Sequence, residues 1–243
     1  MRNHRPDDTG HRIPLLATGD HDCPYLPDRY ARTSFVDPGA SLNPALYRTL
    51  LDRGFRRSGP YLYRPVCRAC NACETLRIPV AEFRPRRWQR RCLRRNADLR
   101  VDAVPARFNA EHYSLYARYV STRHAGGSMD DPTPTAYQTF LIASWCETVF
   151  LEFRDGRRLV AVAVVDWLGD ALSAVYTFYD PELMHRGLGT YAILREIEIA
   201  RSEGMKWLYL GYWIEGCARM SYKADFRPHE VLGATGWRRA EAP

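Results

Sequence analysis

The stretch ALSAVYTFYDPELMHRGLGTYAILREIEIARSEGMKWLYLGYW, residues 171–213, decides the fold of this chain. It begins with a strand pattern, passes through a turn that contains Gly187 and Gly189, and continues as a helix pattern that ends at Gly204. An apolar strand pattern, KWLYLGYW, completes the stretch. The sequence therefore predicts a strand, a glycine-rich turn, a helix and a second strand in direct succession.

Other patterns extend this order on both sides. Residues 148–154 (TVFLEFR) and 158–168 (RLVAVAVVDWL) are strand patterns joined by the hairpin signal DGR. A polar and aromatic segment at 215–228 and one last strand within 229–239 follow. This is the order of elements in the acetyltransferase-like (GNAT) fold. The sequence thus predicts an α/β (α+β) protein with a GNAT-like acyltransferase fold in its C-terminal half.

The glycine-rich turn is a candidate substrate-binding site. Glycines at 187 and 189 allow backbone N–H groups to approach an anion at a helix N-terminus, which in acyl-CoA enzymes is the pyrophosphate. The usual acyl-CoA motif begins with Gln or Arg, whereas Met184 stands at that position here, so only half of the motif is kept. A tight entry into the helix without any ligand explains the two glycines equally well.

Composition limits the class of protein. The chain has 243 residues, enough for one large domain or two modest ones. We expect a Cys-containing, Arg-rich N-terminal domain over residues 1–100 and the GNAT-like domain over 101–243. No run of about eighteen apolar residues exists, so no membrane span is expected. The polar N-terminus is not a signal peptide, and seven cysteines favour reduced thiols in a cytoplasm.

Coarser features complete the organisation along the chain. Residues 1–20 are expected to be a loose leader because they are rich in polar residues, proline and glycine. A helix is predicted within 42–55, and strands are predicted at 61–67 and 76–83. The segment AGGSMDDPTPTAY, residues 125–137, is predicted to be a loop from its Gly, Asp and Pro content.

Arginine dominates one helical segment. Eight of the seventeen residues from Arg84 to Arg100 are arginine, against the single acid Asp98. Arginine forks match phosphate oxygens, so this density favours a nucleic-acid backbone as partner. A solvated basic face, exaggerated by codon composition, is the alternative. The candidate contacts are Arg84, Arg86, Arg87, Arg90, Arg91, Arg94 and Arg95.

Three cysteines at C-x2-C spacing, Cys67, Cys70 and Cys73, form a candidate metal site. Zinc or an iron–sulfur cluster normally needs a fourth ligand, and the nearest free thiol is Cys23. Buried thiols without a ligand, packed under the adjoining strands, are an equally good interpretation.

Three further cations are candidate substrate contacts. Lys223 is one of only two lysines and follows the penultimate strand of the predicted fold, near its acceptor site. It is suited to contact an acyl donor, a phosphate or a carboxylate, although a surface lysine would look the same in sequence. Arg56 and Arg64 lie among aromatic residues and suit a carboxylate or stacked bases.

Long stretches of the chain resemble a known family. CPYLPDRYARTSFVDP (23–38), the whole of 50–99 and MSYKADFRPHE (220–230) are similar to the bacterial aspartate/glutamate leucyltransferases. These are relatives of the eukaryotic arginyl-tRNA–protein transferases, and the similarity extends from about Asp20 to Trp237. It implies a cytoplasmic enzyme that moves leucine from Leu-tRNA to an N-terminal Asp or Glu of a protein. That product is an N-degron, which marks the protein for degradation.

The resemblance also bears on site residues and cofactors. The implied reaction starts from an ester that is already activated, so no cofactor is required. Lys223 and Tyr222 are the candidate catalytic residues, and either Tyr222 or Tyr176 is a candidate to steer the ester or to relay a proton. The eukaryotic relatives carry paired cysteines near the N-terminus, whereas Leu26 stands at the second position here. If zinc or an iron–sulfur cluster binds, the three cysteines at 67–73 replace that ligand. Rival functions are arginine transfer, N-acetyl transfer, peptidoglycan-type transfer from aminoacyl-tRNA, and a metal-dependent RNA-binding module.

Overall fold

The computed structural model describes residues 13–123 and 132–240. The strands are β1 (Leu15–Ala17), β2 (His21–Asp22), β3 (Tyr30–Ala31), β4 (Thr33–Val36), β5 (Arg56–Ser58), β6 (Tyr61–Pro65), β7 (Glu74–Pro79), β8 (Arg100–Pro105), β9 (Glu147–Asp155), β10 (Arg158–Trp167), β11 (Ala171–Tyr179), β12 (Trp207–Trp213), β13 (Glu230–Gly233) and β14 (Gly236–Arg239). The helices are α1 (Pro44–Leu51), α2 (Arg87–Arg95), α3 (Ala110–Arg123), α4 (Pro134–Leu141) and α5 (Leu188–Ser202), with 3₁₀ helices at Pro181–Arg186 and Ser221–Asp225.

An eight-stranded sheet forms the centre of the fold, in the order β14-β13-β7-β12-β11-β10-β9-β8. All neighbours are antiparallel except β11 and β12, which run parallel. This parallel pair is joined over only three residues of each strand and ends at Ser173 opposite Tyr209, although both strands continue. The two strands therefore part and leave a cleft in the sheet. The predicted GNAT-like order of strands, turn, helix and strand is confirmed.

Apolar side chains point alternately to the two faces of this sheet, and helices pack on both faces. On β10, Ala161 and Ala163 join a core cluster with α5, while Val162 and Val164 join a second cluster with α3 and α4. Helix α2 packs beside α5 through Cys92. The site described below consequently lies between two apolar layers.

A smaller four-stranded sheet, in the order β1-β4-β6-β5, and helix α1 form a third cluster with Ala171 and Tyr209 of the large sheet. A buried ion pair attaches this small sheet. Arg57 Nε and Nη2 lie 2.7 and 2.8 Å from the two carboxylate oxygens of Asp166 on β10, and neither side chain is accessible to solvent. Thr148 Oγ1 donates a third hydrogen bond to Asp166 at 2.7 Å. The pair fixes where β5 meets the large sheet.

Three expectations change in the structure. Leu15–Ala17, in the expected leader, pairs with β4; residues 1–12 lie outside the described residues. The loop predicted for 125–137 is wrong from Pro134 onward, where α4 begins with Thr133 as its N-cap and proline in its first turn; residues 125–131 lie outside the described ranges. The last predicted strand is a hairpin, β13 and β14.

The large sheet also includes strands from the first hundred residues. Strand β7 pairs with both β12 and β13, so residues 74–79 complete the half of the sheet beyond the cleft. The division into domains at residue 100 stays a prediction. Among the described residues, no helix combines the length and the apolar composition that crossing a membrane requires.

Candidate functional site

The cleft between β11 and β12 contains the side chain of Arg56, which enters from β5. Its Nη2 donates to the carbonyl of Ala174 at 2.6 Å and its Nη1 to Ser173 Oγ at 3.3 Å. On the β12 side, the guanidinium lies against Gly211, where a Cβ would be 2.9 Å from it and φ is +82°. Only glycine fits such a close approach at this φ. Arg56 therefore holds the cleft open and places a buried positive charge inside it.

Lys223 lies beside this charge, on the second 3₁₀ helix. Its Nζ donates a hydrogen bond to the Tyr212 carbonyl of β12 at 2.7 Å. Burial, and then the neighbouring Arg56, lower the pKa of Lys223 to about 7. The side chain is therefore poised between its charged and neutral forms at neutral pH. Sequence-based reasoning predicted both Arg56 and Lys223 as site residues, and the structure brings them together.

An aromatic wall at the same cleft is formed by Tyr119, Tyr176, Tyr179 and Tyr222. The Tyr222 hydroxyl has a pKa raised to about 12 by burial and by the Glu196 carboxylate, against an opposing effect of Arg56. The ring of Tyr119 on α3 is 4.9 Å from Tyr179 and 6.3 Å from Tyr176, between centroids. The predicted pair Tyr222 and Tyr176 thus belongs to a larger wall. Tyr119 and Tyr179 were missed, although α3 carries tyrosines at every third position from 113 to 119.

The predicted glycine turn leads into α5. Gly187 has φ +69° and is the N-cap of the helix, so a left-handed conformation there needs glycine. A Cβ at Gly189 would lie 3.6 Å from Tyr179 Cε1, which places this turn of α5 against the end of β11. The turn is next to α2, because Asn96 Nδ2 donates to the carbonyl of Arg186 at 2.9 Å.

The seven predicted nucleic-acid arginines are all exposed on or just before α2. Within residues 13–123 and 132–240, none of them forms an ion pair with an acid, so their charge is uncompensated. The opposite face of α2 is buried, where Gln89 Nε2 donates to the Asp225 carbonyl at 3.3 Å. The basic helix consequently touches both the glycine turn and the segment that carries Lys223.

The predicted metal cysteines line one cavity of about 460 Å³, together with Arg64 and Tyr212. The lining cysteines are Cys23, Cys67, Cys70 and Cys73. Burial, followed by the other three thiols and Cys217, raises the pKa of Cys73 to about 12. Among the residues with described positions, no three His, Cys, Asp or Glu side chains are placed to hold a metal ion. The thiols are gathered but are not arranged as ligands.

Arg64 is in this cavity and not in the cleft. Its guanidinium lies 5.0 Å from the centroid of Phe55, and Nη1 donates to the carbonyl of Arg53 at 3.3 Å. The predicted substrate cations Arg56 and Arg64 therefore occupy two separate places, with β12 residue Tyr212 bordering both.

A parallel strand pair that parts around a cleft, with a glycine-capped helix beside it, is the arrangement of the GNAT-like fold. In agreement with that class, the C-terminal domain of a protein assigned as a lysylphosphatidylglycerol synthetase from Agrobacterium fabrum has a similar fold. Its TM-score is 0.52 at 13% identity, over 82% of this chain and 64% of that one. Models for the N and C termini of arginine-tRNA-protein transferases match residues 21–91 and 111–233. The chain belongs to this transferase family.

Two curated relatives cover nearly the whole chain. An aspartate/glutamate leucyltransferase from Alkalilimnicola ehrlichii is 55% identical over 227 residues, which is 93% of this chain and 95% of that protein. One from Halorhodospira halophila is 53% identical over 95% of this chain and 98% of its own length. The resemblance inferred from the sequence is thereby confirmed.

Proposed function

We propose that this enzyme transfers leucine from Leu-tRNA to the N-terminal Asp or Glu of acceptor proteins, which creates an N-degron. The observation that carries the proposal is the 55% identity to an aspartate/glutamate leucyltransferase over 93% of the chain. We infer a cytoplasmic setting for the reaction. In the transfer, the acceptor α-amine forms a C–N bond to the aminoacyl carbon, the ester C–O bond breaks, and the ribose hydroxyl of the tRNA leaves with a proton.

Helix α2 is our proposed contact for the tRNA backbone. Its exposed, unpaired arginines suit phosphate oxygens, and its buried face touches the 3₁₀ helix of Lys223 through Gln89. A tRNA bound along α2 would thus have its aminoacylated end close to the glycine turn and the cleft. Gly187 and Gly189 are proposed to admit this end, because glycine lets backbone N–H groups approach a ligand at the start of α5.

Lys223 and Tyr222 are our proposed catalytic residues. A protonated Nζ has three donors and uses one on the Tyr212 carbonyl, so two remain for the oxyanion that develops on the aminoacyl carbonyl. Tyr222, with a pKa raised to about 12, keeps its proton and remains a donor at neutral pH. The wall that contains Tyr176 is proposed to exclude water, which would otherwise hydrolyse the ester.

Acceptor selectivity needs a fixed cation for the side-chain carboxylate. Arg56 uses two of its guanidinium nitrogens on Ala174 and Ser173, whereas Arg64 lines a cavity and donates to the Arg53 carbonyl through Nη1. Arg56 and Arg64 are therefore both proposed contacts for the carboxylate of the acceptor: Arg56 lies in the cleft beside Lys223, and Arg64 lies in the neighbouring cavity, on the other side of Tyr212.

No cofactor is required for this chemistry, since the ester is already activated. The donor set of four thiols suits zinc or an iron–sulfur cluster. Among the residues whose positions are described, however, the thiols do not stand in ligand geometry. Metal binding by Cys23, Cys67, Cys70 and Cys73 stays a prediction.

The test is a transfer assay with labelled leucine on tRNA and peptides that begin with Asp, Glu or Ala. Label on the acidic peptides alone supports the proposal. Transfer from Arg-tRNA, from acetyl-CoA or to a muropeptide amine would instead support the rival functions, and tRNA binding without transfer would support an RNA-binding module.

The role of Lys223 is tested in the same assay with matched variants. Lys223→Met should lower kcat about 100- to 1,000-fold, the usual loss when an oxyanion donor is removed. Lys206→Met is the control, because Lys206 is 70% exposed and pairs with Asp170 away from the cleft. Equal transfer by the two variants would contradict the assignment.

A further inference from the structure

Glu196 on α5 is a buried carboxyl group that has no hydrogen-bond partner among residues 13–123 and 132–240. The residue has no accessible surface, and neither of its two carboxyl oxygens has a hydrogen-bond partner. In the described part of the chain, no other carboxylate has unpartnered buried oxygens. Burying such a group costs several kcal/mol relative to a paired one. A group that costs stability in the resting enzyme is a candidate for a partner that arrives with the substrate.

The face of α5 that carries Glu196 lies at the reaction cleft. Gly189, Ala192, Glu196 and Ala200 follow one another at helical spacing, and Gly189 is against Tyr179 of β11. After burial, the Glu196 carboxylate is the strongest cause of the raised pKa of Tyr222. The charge of Glu196 therefore acts on Tyr222, the residue next to Lys223.

Neighbouring elements contribute few other titratable groups on this side of α5. They are Tyr179 from β11, Tyr222 from the 3₁₀ helix, Cys92 from α2 and, through its effect on Tyr222, Arg56 from β5. Strand β12 contributes apolar residues to the same core. No cation in the described structure forms an ion pair with Glu196.

We propose that Glu196 receives the α-ammonium group of the acceptor and takes the proton that the amine must lose before it attacks the ester. The inference rests on the proposed function and adds a catalytic residue to it. An ammonium group offers three N–H donors, which would satisfy the two unpartnered oxygens. Both oxygens are closed to solvent in the resting enzyme, so neighbouring side chains must move before the amine reaches them.

The proton balance of this step is complete. The ammonium N–H bond breaks and a carboxyl O–H bond forms, which leaves a neutral amine whose lone pair attacks the aminoacyl carbon. The C–N bond then forms, the ester C–O bond breaks, and a proton from the attacking nitrogen leaves with the ribose hydroxyl. Glu196 finally loses its proton to solvent, so each turnover releases one proton in total.

The pKa values of Glu196 and of the acceptor α-amine are similar. Burial raises the pKa of Glu196 to about 8, and an unperturbed α-amine has a pKa of about 7.7–8.0. A carboxylate with a raised pKa is a stronger base than an ordinary glutamate, which favours removal of a proton from the bound ammonium group. A general base works best when its pKa is near the operating pH.

The test compares Glu196→Gln with the wild type in leucine transfer to a Glu-initiated peptide between pH 6.5 and 9. The variant keeps the shape of the side chain and removes its ionisation. We expect kcat about 100-fold lower near pH 7.5, close to the pKa of Glu196, in the usual range for a lost general base. The deficit should shrink toward pH 9, where the acceptor amine is already neutral. Affinity for Leu-tRNA should be unchanged.

Glu198→Gln on the same helix is the matched control, because Glu198 is exposed and pairs with Arg195. If Glu196→Gln does not fold, Glu196→Leu replaces it, since an apolar side chain suits the apolar surroundings. A wild-type rate in the variant, or a deficit that is constant across pH, would overturn the inference. Absence of leucine transfer by the wild type would instead refute the proposed function.

Discussion

Replacement of Lys223 by methionine should change how stability depends on pH. In the native state the lysine has a pKa of about 7, against an ordinary value of 10.5. Between these values the unfolded chain binds more protons than the native one, so the wild type gains stability as the pH rises and loses it as the pH falls. At about 1.4 kcal/mol per pH unit, the penalty approaches about 5 kcal/mol when the lysine is fully charged. Methionine has the stem of lysine without the charge and carries no such penalty.

The measurable quantity is the difference in unfolding free energy between the wild type and Lys223→Met. From pH 6 to pH 9 the wild type should gain about 3 kcal/mol relative to the variant, because part of the penalty persists until the pH exceeds 10. Urea unfolding at four pH values in this range measures it, with Lys206→Met as a control whose difference from the wild type stays flat. A difference for Lys223→Met that varies by less than about 1 kcal/mol would refute the argument that burial lowers this pKa.

Further predictions concern the ion pair, the basic helix and the cysteines. Arg57→Met should cost about 3–5 kcal/mol in urea unfolding because it leaves Asp166 buried without a counter-charge; a loss below about 1 kcal/mol would contradict this. Arg91→Gln should weaken tRNA binding and reduce its salt dependence by nearly one released counterion. Arg157→Gln is the control and should do neither, because Arg157 is exposed and lies outside α2. Metal analysis of anaerobically purified protein tests the cysteines: zinc or iron that falls in Cys73→Ser would support the predicted metal site, which would require the thiols to rearrange into ligands, and metal-free wild type would make them structural thiols.

Local sequence patterns were sufficient to predict most of the helices and strands of the C-terminal half. The strands β9 to β12 and helix α5 have strong apolar periodicity and clear turns, so their order identified the fold. Strand β7 was also recognised as a strand, but its place between β12 and β13 depends on pairing across more than a hundred residues of chain, which no local pattern encodes. Helix α4 was missed because its proline, an N-terminal helix residue, was interpreted as part of a loop.

The candidate site was predicted only in part, for a similar reason. Adjacent arginines at 56 and 57 look equivalent in sequence, yet alternation along β5 sends one into the cleft and the other to Asp166. Glu196 occurs in an amphipathic helix with several charged residues, where a glutamate is normally on the exposed face. Its burial follows from the small residues around it and from the position of the cleft, and both depend on tertiary packing.

Two ionisable side chains at the cleft have pKa values that are shifted in opposite directions. The pKa of Lys223 is lowered and that of Glu196 is raised, and burial is the leading cause in each. The penalty for charging Lys223 disappears only at high pH, and the penalty for charging Glu196 disappears only at low pH. Their combined cost is therefore greatest near neutrality, where the enzyme operates. Selection for stability alone would replace both by apolar residues, so their presence at one cleft argues for a catalytic role that outweighs the cost.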